Sequence, residues 1–138
     1  AGKVLPEAFT CFTLSPDNLS ELTKRFGYTV GDGVLKDFAG LVQLMGDTEG
    51  MRGYNGVGRF VVFFEECSSK KAAAMIRILD NQVEEYNSLN PEYPIRYTAA
   101  WATTEETDTY EIRELLRLSQ KKWKQMEKEK KDKTEEET

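Results

Sequence analysis

Apolar positions along this chain change period several times, and each change marks an element. Phe9 to Leu14 (Phe-Thr-Cys-Phe-Thr-Leu) alternates large apolar with small residues, which predicts a first strand. Ser15-Pro16-Asp17 stops it and offers a helix cap, with Glu21 in the first turns. Leu19, Leu22 and Phe26 then follow helical spacing, and Gly27 suits the end of that short helix. A second helix is predicted from Gly31 or Asp32 to Met45, with Val34, Leu35, Phe38, Leu41, Val42 and Met45 on one face. Two strands follow, over 51–55 and 59–65, and Ser68-Ser69 caps a long helix over 69–88 whose face is Ala72, Met75, Ile76, Leu79, Val83 and Tyr86. Two prolines mark a loop before a fourth strand, Ile95 to Ala102. A last helix starts at Tyr110, its apolar face formed by Ile112, Leu115, Leu116, Leu118, Trp123 and Met126.

The element order is β-α-α-β-β-α-β-α, without an internal repeat. It predicts an α/β sandwich with the sheet on one side and helices on the other. The hairpin of strands two and three is antiparallel, and strands split by helices can pair in parallel through right-handed crossovers. The aromatic set Phe9, Phe12, Phe60, Phe63, Phe64 and Trp101 reads as core packing. Residues 1–8 read as the end of a linker and 9–127 as one domain. Residues 128–138 carry almost nothing that can bury, and they read as a charged, disordered tail that extends the helix briefly and then frays.

Composition narrows the chemistry. A chain of 138 residues suffices for one domain with a real core. The net charge of −5 argues against a nucleic-acid partner, which would need a basic surface. No run approaches the ~18 apolar residues of a membrane span, and no secretory leader is visible. The chain opens at Ala1 without an initiator Met, which reads as a fragment or a trimmed chain that leaves room for upstream domains. Its two cysteines, Cys11 and Cys67, lack redox or zinc spacing and read as reduced, buried thiols of a cytoplasmic protein. There is no histidine, so any catalysis would rest on carboxylates, lysines, hydroxyls or substrate groups.

The segment Tyr54-Asn55-Gly56-Val57-Gly58-Arg59-Phe60 is a glycine hairpin feeding an apolar strand, since Asn-Gly favours the positive φ values of a tight hairpin turn. Upstream stand Ser15-Pro16-Asp17-Asn18-Leu19 and Phe26-Gly27-Tyr28-Thr29-Val30-Gly31-Asp32-Gly33-Val34-Leu35. In that order, and with Leu115 to Glu127 as closing helix, these segments resemble the GGDEF domain, the diguanylate cyclase family. The resemblance covers Phe9 to Glu127. It implies a ferredoxin-like, palm-type α+β sheet flanked by helices, on which two domains face each other and condense two GTP molecules to cyclic di-GMP.

The resemblance also implies where the chemistry should sit, and this chain departs from it there. The family holds magnesium through an aspartate at the end of the first strand and an acidic residue in the hairpin. Ser15 stands at the first position, and Gly58 and Arg59 stand at the hairpin's acidic pair. Two carboxylates are thus replaced by a neutral hydroxyl and a cation. Magnesium wants hard anionic oxygens, and two unit charges ~4 Å apart interact by roughly 4 kcal/mol at an effective dielectric of 20. The magnesium site is therefore expected to be lost, with no cofactor. Asp17 falls second in the family's D-x-D pair. The family reads guanine with an asparagine, here Thr23, and an aspartate, here Asp32. Ser20, Lys24, Gln120 and Glu127 replace other polar residues of the pattern, and the inhibitory R-x-x-D is missing at Asp47-Thr48-Glu49-Gly50.

The expected vestigial nucleotide site is thus Ser15, Asp17, Thr23, Asp32, Gly56, Val57, Gly58 and Arg59. Arg59 has two readings, a guanidinium paired with phosphate or an exposed hairpin residue facing solvent or pairing with Glu65 or Asp17. Asp32 reads either as a guanine acceptor or as a helix N-cap. The leading expectation is a catalytically inactive, cytoplasmic module of a bacterial signalling protein. Its partners would be other protein domains or a second copy of itself. The alternatives are a GTP receptor without turnover and an active cyclase with unusual ligands.

Overall fold

β1 (Thr10–Pro16) carries buried side chains on both of its faces, and a strand of that kind belongs inside a sheet. The computed structural model, which describes residues 8–46, 51–54, 58–107 and 110–137, places it there. β1 pairs antiparallel with β3 (Phe60–Phe64) on one side and with β4 (Tyr97–Thr103) on the other. β2 (Met51–Tyr54) adds antiparallel to β3, giving the order β2-β3-β1-β4. This is the fully antiparallel ferredoxin-like sheet. The parallel pairing anticipated through crossovers does not occur among the described strands, because each helical connection returns the chain to a position one strand removed.

Alternation along β1 divides the molecule. Phe12 and Leu14 face α1 (Leu19–Phe26), α2 (Tyr28–Gln43) and α3 (Ser69–Leu89) in a core that includes Leu22, Val34, Phe38, Met75 and Leu79. Cys11, with Ala102 of β4, faces Leu115 of α4 (Ile112–Glu137) in a smaller second core. Helices therefore cover both faces of the sheet, not one as the sandwich reading had it. A strand buried on two sides needs a cover on each. The expected aromatic set splits accordingly, Phe12, Phe60, Phe64 and Trp101 to the larger core and Phe9 and Phe63 to the smaller. Phe38 sits between Phe60 and Tyr97, with ring centroids 5.6 and 5.7 Å away.

Two element starts differ from the sequence reading. Gly27 has φ +91°, which glycine adopts freely; it ends α1 and lets α2 begin at once at Tyr28. Asp32 therefore lies in the second turn of α2 and is not its N-cap. The fourth strand begins at Tyr97 instead of Ile95, because side chains take the backbone groups before it. Asn87 donates to Ile95 O at 2.9 Å and accepts from Ile95 N at 2.7 Å, and Asn18 brackets Pro94 and Arg96 in the same way. Asn18, not Ser15 or Asp17, precedes α1, and its side chain makes no cap bond there. Ser68 does cap α3, accepting from Lys71 N at 3.1 Å.

α4 runs unbroken to Glu137, so the charged run expected to fray from residue 128 is helical. Within it, Lys130 is fixed to the sheet, as described below. Met126 and Ile112 are exposed instead of lining the apolar face. Cys11 and Cys67 are buried free thiols, and burial pushes Cys11 up to about 11 and Cys67 upward as well. No helix among the described residues is long and apolar enough to cross a membrane.

Phe38→Ala empties the junction between α2 and the sheet. It should cost about 3–5 kcal/mol, measured by urea unfolding, with the fold's circular dichroism retained at low denaturant.

Candidate functional site

The end of β1 brings the expected residues to α4. Ser15 follows Cys11 and Thr13 on the strand face that looks toward this helix. Thr13 Oγ1 lies 2.8 Å from Ser119 Oγ, and one helical turn further the Trp123 indole N–H donates to Ser15 Oγ at 2.9 Å. Arg59, just before β3, lays its guanidinium over the same indole, with Cζ 4.3 Å from the ring centroid. A cation over a tryptophan face gains about 0.5–2 kcal/mol, more as it is desolvated. Arg59 is half-buried, and its Nε lies out of solvent with no hydrogen-bond partner among the described residues. The reading of Arg59 as an exposed hairpin residue facing solvent or pairing with Glu65 or Asp17 does not hold, because its guanidinium lies half-buried on the Trp123 indole.

Asp17 lies two residues on, in a second cluster. It accepts from Thr98 Oγ1 at 2.7 Å and from Lys130 Nζ at 2.9 Å. Lys130 also donates to Tyr97 O at 2.9 Å and Thr98 Oγ1 at 2.6 Å, so all three ammonium protons are used. The Asp17 side chain is 20% exposed and that of Lys130 48%, so solvent screens this pair only in part. Burial would raise the Asp17 carboxyl. Hydrogen bonds from Glu127, Lys130 and Thr98, with the charge of Lys130, outweigh it and hold Asp17 below the usual carboxylate range. Glu127 moves the other way, pushed up by burial and by its hydrogen bond to Asp17. Asp17, Glu127 and Lys130 also border an open cleft of about 1120 Å³ between α3 and the end of α4.

The remaining expected residues stand apart from these clusters. Thr23 of α1 lies against Gly31 of α2, so closely that a Cβ there would overlap its hydroxyl. Asp32, the next residue, is exposed. Gly58 is buried with φ +77°, beside Leu19 and Leu35. Gly56 and Val57, and the Asp47–Gly50 stretch, lie outside the described residues. Sequence reading missed Trp123, Lys130 and Thr98 as site residues. The signal was present in the spacing Ser119, Trp123, Glu127, Lys130, which continues the sheet-facing stripe of α4 into the charged run.

These donors do not suit a divalent metal. Ser15 is neutral and already accepts the indole proton, and Arg59 brings positive charge to the same place. Among the described residues no group of three or more His, Cys, Asp or Glu could hold a metal ion.

An antiparallel β2-β3-β1-β4 sheet, with the end of the first strand and the start of β3 meeting under the last helix, is the ferredoxin-like, palm-type arrangement. The diguanylate cyclase GGDEF domain model matches residues 5–133, and the chain belongs to the GGDEF domain family. Among solved structures it is similar to the active GGEEF domain of a diguanylate cyclase from Vibrio cholerae. That match has a TM-score of 0.76 and 19% identity, over 86% of this chain and 76% of that one. It is also similar to a microbial GGDEF domain described in an interaction with cyclic di-GMP (TM-score 0.62, 24% identity, 80% of this chain and 67% of that one). A third is the diguanylate cyclase SiaD of Pseudomonas aeruginosa in complex with its activator SiaC (TM-score 0.70, 11% identity, 90% of this chain and 47% of that one). At these identities the likeness is one of fold. None of the curated proteins compared with the chain matches it.

The two shifted carboxyls give opposite pH signatures. Asp17, depressed, stabilises the fold above its unfolded value, and that stability is lost as pH falls through its folded value. Glu127, elevated, contributes fully below its unfolded value, and the contribution is lost as pH rises through its folded value. Glu127→Gln should therefore raise the melting temperature at pH 7 and leave it nearly unchanged at pH 4. Asp17→Asn should lower it at pH 7 and flatten the acid limb. Thermal melts across this range check both.

Proposed function

We propose that this GGDEF domain is catalytically inactive and serves as a regulatory, protein-interaction module in cyclic di-GMP-related signalling, on the cytoplasmic side of a larger bacterial protein. The observation that carries the reading is the Arg59–Trp123–Ser15 stack. By resemblance, Ser15 and Arg59 stand where the family places its magnesium carboxylates. Here one is hydrogen-bonded to an indole and the other is a cation lying on it.

Metal-assisted phosphoryl transfer depends on neutralising charge between the phosphates. Among the described residues, Ser15 and Arg59 supply no anionic ligand for such an ion. The guanine side is reduced as well, with the Thr23 hydroxyl pressed on Gly31 where a longer amide would reach out. A role through protein contacts remains open to such a domain, and SiaD, a cyclase similar in fold, is seen with an activator protein. The partner here would be another domain or a second copy of the chain.

Titration with GTP, with and without magnesium, should give no heat and no thermal shift at millimolar nucleotide. Incubation with GTP and magnesium should yield no cyclic di-GMP; product above background would overturn the proposal. Ser15→Asp combined with Arg59→Glu should regain magnesium-dependent GTP binding. A folded double variant that gains none would show that the metal position is wrongly assigned.

A further inference from the structure

We propose that α4 is the built-in occupant of the degenerate site, closing it from within and holding the domain in one arrangement without any ligand. The inference rests on the reading of an inactive site and adds what fills it. Two side chains about two turns apart on one helix face take up the site's residues. Trp123 covers the Arg59 guanidinium and donates to Ser15, and Lys130 donates to Asp17.

The chemistry of each contact replaces a ligand contact with a protein one. A guanidinium at this position would otherwise face solvent or a phosphate. Here the indole face takes its charge, and its Nε is already out of water. An aspartate at the β1–α1 junction would otherwise attract a cation. Here the Lys130 ammonium is that cation, with its other two protons on Tyr97 O and Thr98 Oγ1. The two contacts lie about two helical turns apart, so they hold α4 across β1, the start of β3 and β4 together. They also explain why a run as charged as residues 124–131 stays helical and on the sheet: its sheet-facing positions are the ones that bind. The closing contacts are supplied by the chain itself, and the effective concentration of a tethered helix keeps it docked.

Hydrogen exchange on the whole chain tests this. In the wild type, α4 from Ser119 to Lys131 should be protected, and millimolar GTP with magnesium should leave both its exchange and the tryptophan emission unchanged. Arg59→Ala and Lys130→Met should each speed exchange in this segment by about tenfold, with β1 and β3 unaffected. Arg59→Ala should also redden Trp123 emission in a Trp101→Phe background. Arg59→Lys, which keeps the charge but not the planar stack, should fall between. Unchanged α4 exchange in Arg59→Ala, Arg59→Lys and Lys130→Met would overturn the inference and leave the proposed inactivity standing. Nucleotide that binds the wild type and loosens α4 would overturn both, because α4 would then be a displaceable lid over a working site.

Discussion

The constraint on which the molecule turns is that β1 is hydrogen-bonded along both edges and buried on both faces. Its side chains must satisfy two environments in strict alternation. Phe12 and Leu14 join the larger core, while Cys11, Thr13 and Ser15 look at α4. The second set is small and partly polar, which suits a helix lying close to the sheet. Thr13 and Cys11 both meet Ser119, so the hydroxyls satisfy one another instead of being stranded. Ser15 continues the pattern one step further. A carboxylate there would face the same indole N–H without a metal to neutralise it, and burial would penalise its charge. The serine is thus consistent with its strand neighbours as well as with the absence of a metal ligand.

Much of this was legible in the residues. The element order, the buried faces of α2 and α3, the Ser68 cap and the turn at Gly27 all follow from spacing and from the few residues able to cap or turn a chain. What spacing could not supply was long-range. The Asn87 and Asn18 side chains that delay β4 act across 8 to 78 residues of sequence, and no local pattern announces them. Charge misled at the C-terminus, where residues 128–137 look solvated because most are. Lys130 among them reaches the sheet, and helical periodicity, not hydrophobicity, was its signal.

The site was legible in its parts and not in its assembly. Ser15, Asp17 and Arg59 are found from the family pattern, yet that pattern says nothing about which side chain faces them once the acidic pair is gone. Trp123 was read as one more apolar residue of α4. Its indole has a donor that a buried position must satisfy and a face that suits a cation, and Ser15 and Arg59 answer both needs. The same residue thus explains why Arg59 tolerates being half-buried without an ion pair among the described residues.

This exchange has a consequence for what such a domain can do. A site that closes on nucleotide couples its shape to ligand concentration, because a ligand shifts a conformational equilibrium only by its differential affinity for the two states. When the closing contacts come from the chain itself, that differential vanishes and the arrangement no longer reports on GTP. On the proposed reading, information enters through protein contacts that bear on α4. Lys130 is the sensitive point: it is half exposed, carries the charge that holds Asp17, and borders the open cleft against α3. Whatever shifts the ammonium off Asp17 removes the contact that ties this part of α4 to the β1–α1 junction and to β4. On the proposed reading, the arrangement of this domain responds to electrostatics at the end of α4 rather than to a bound triphosphate.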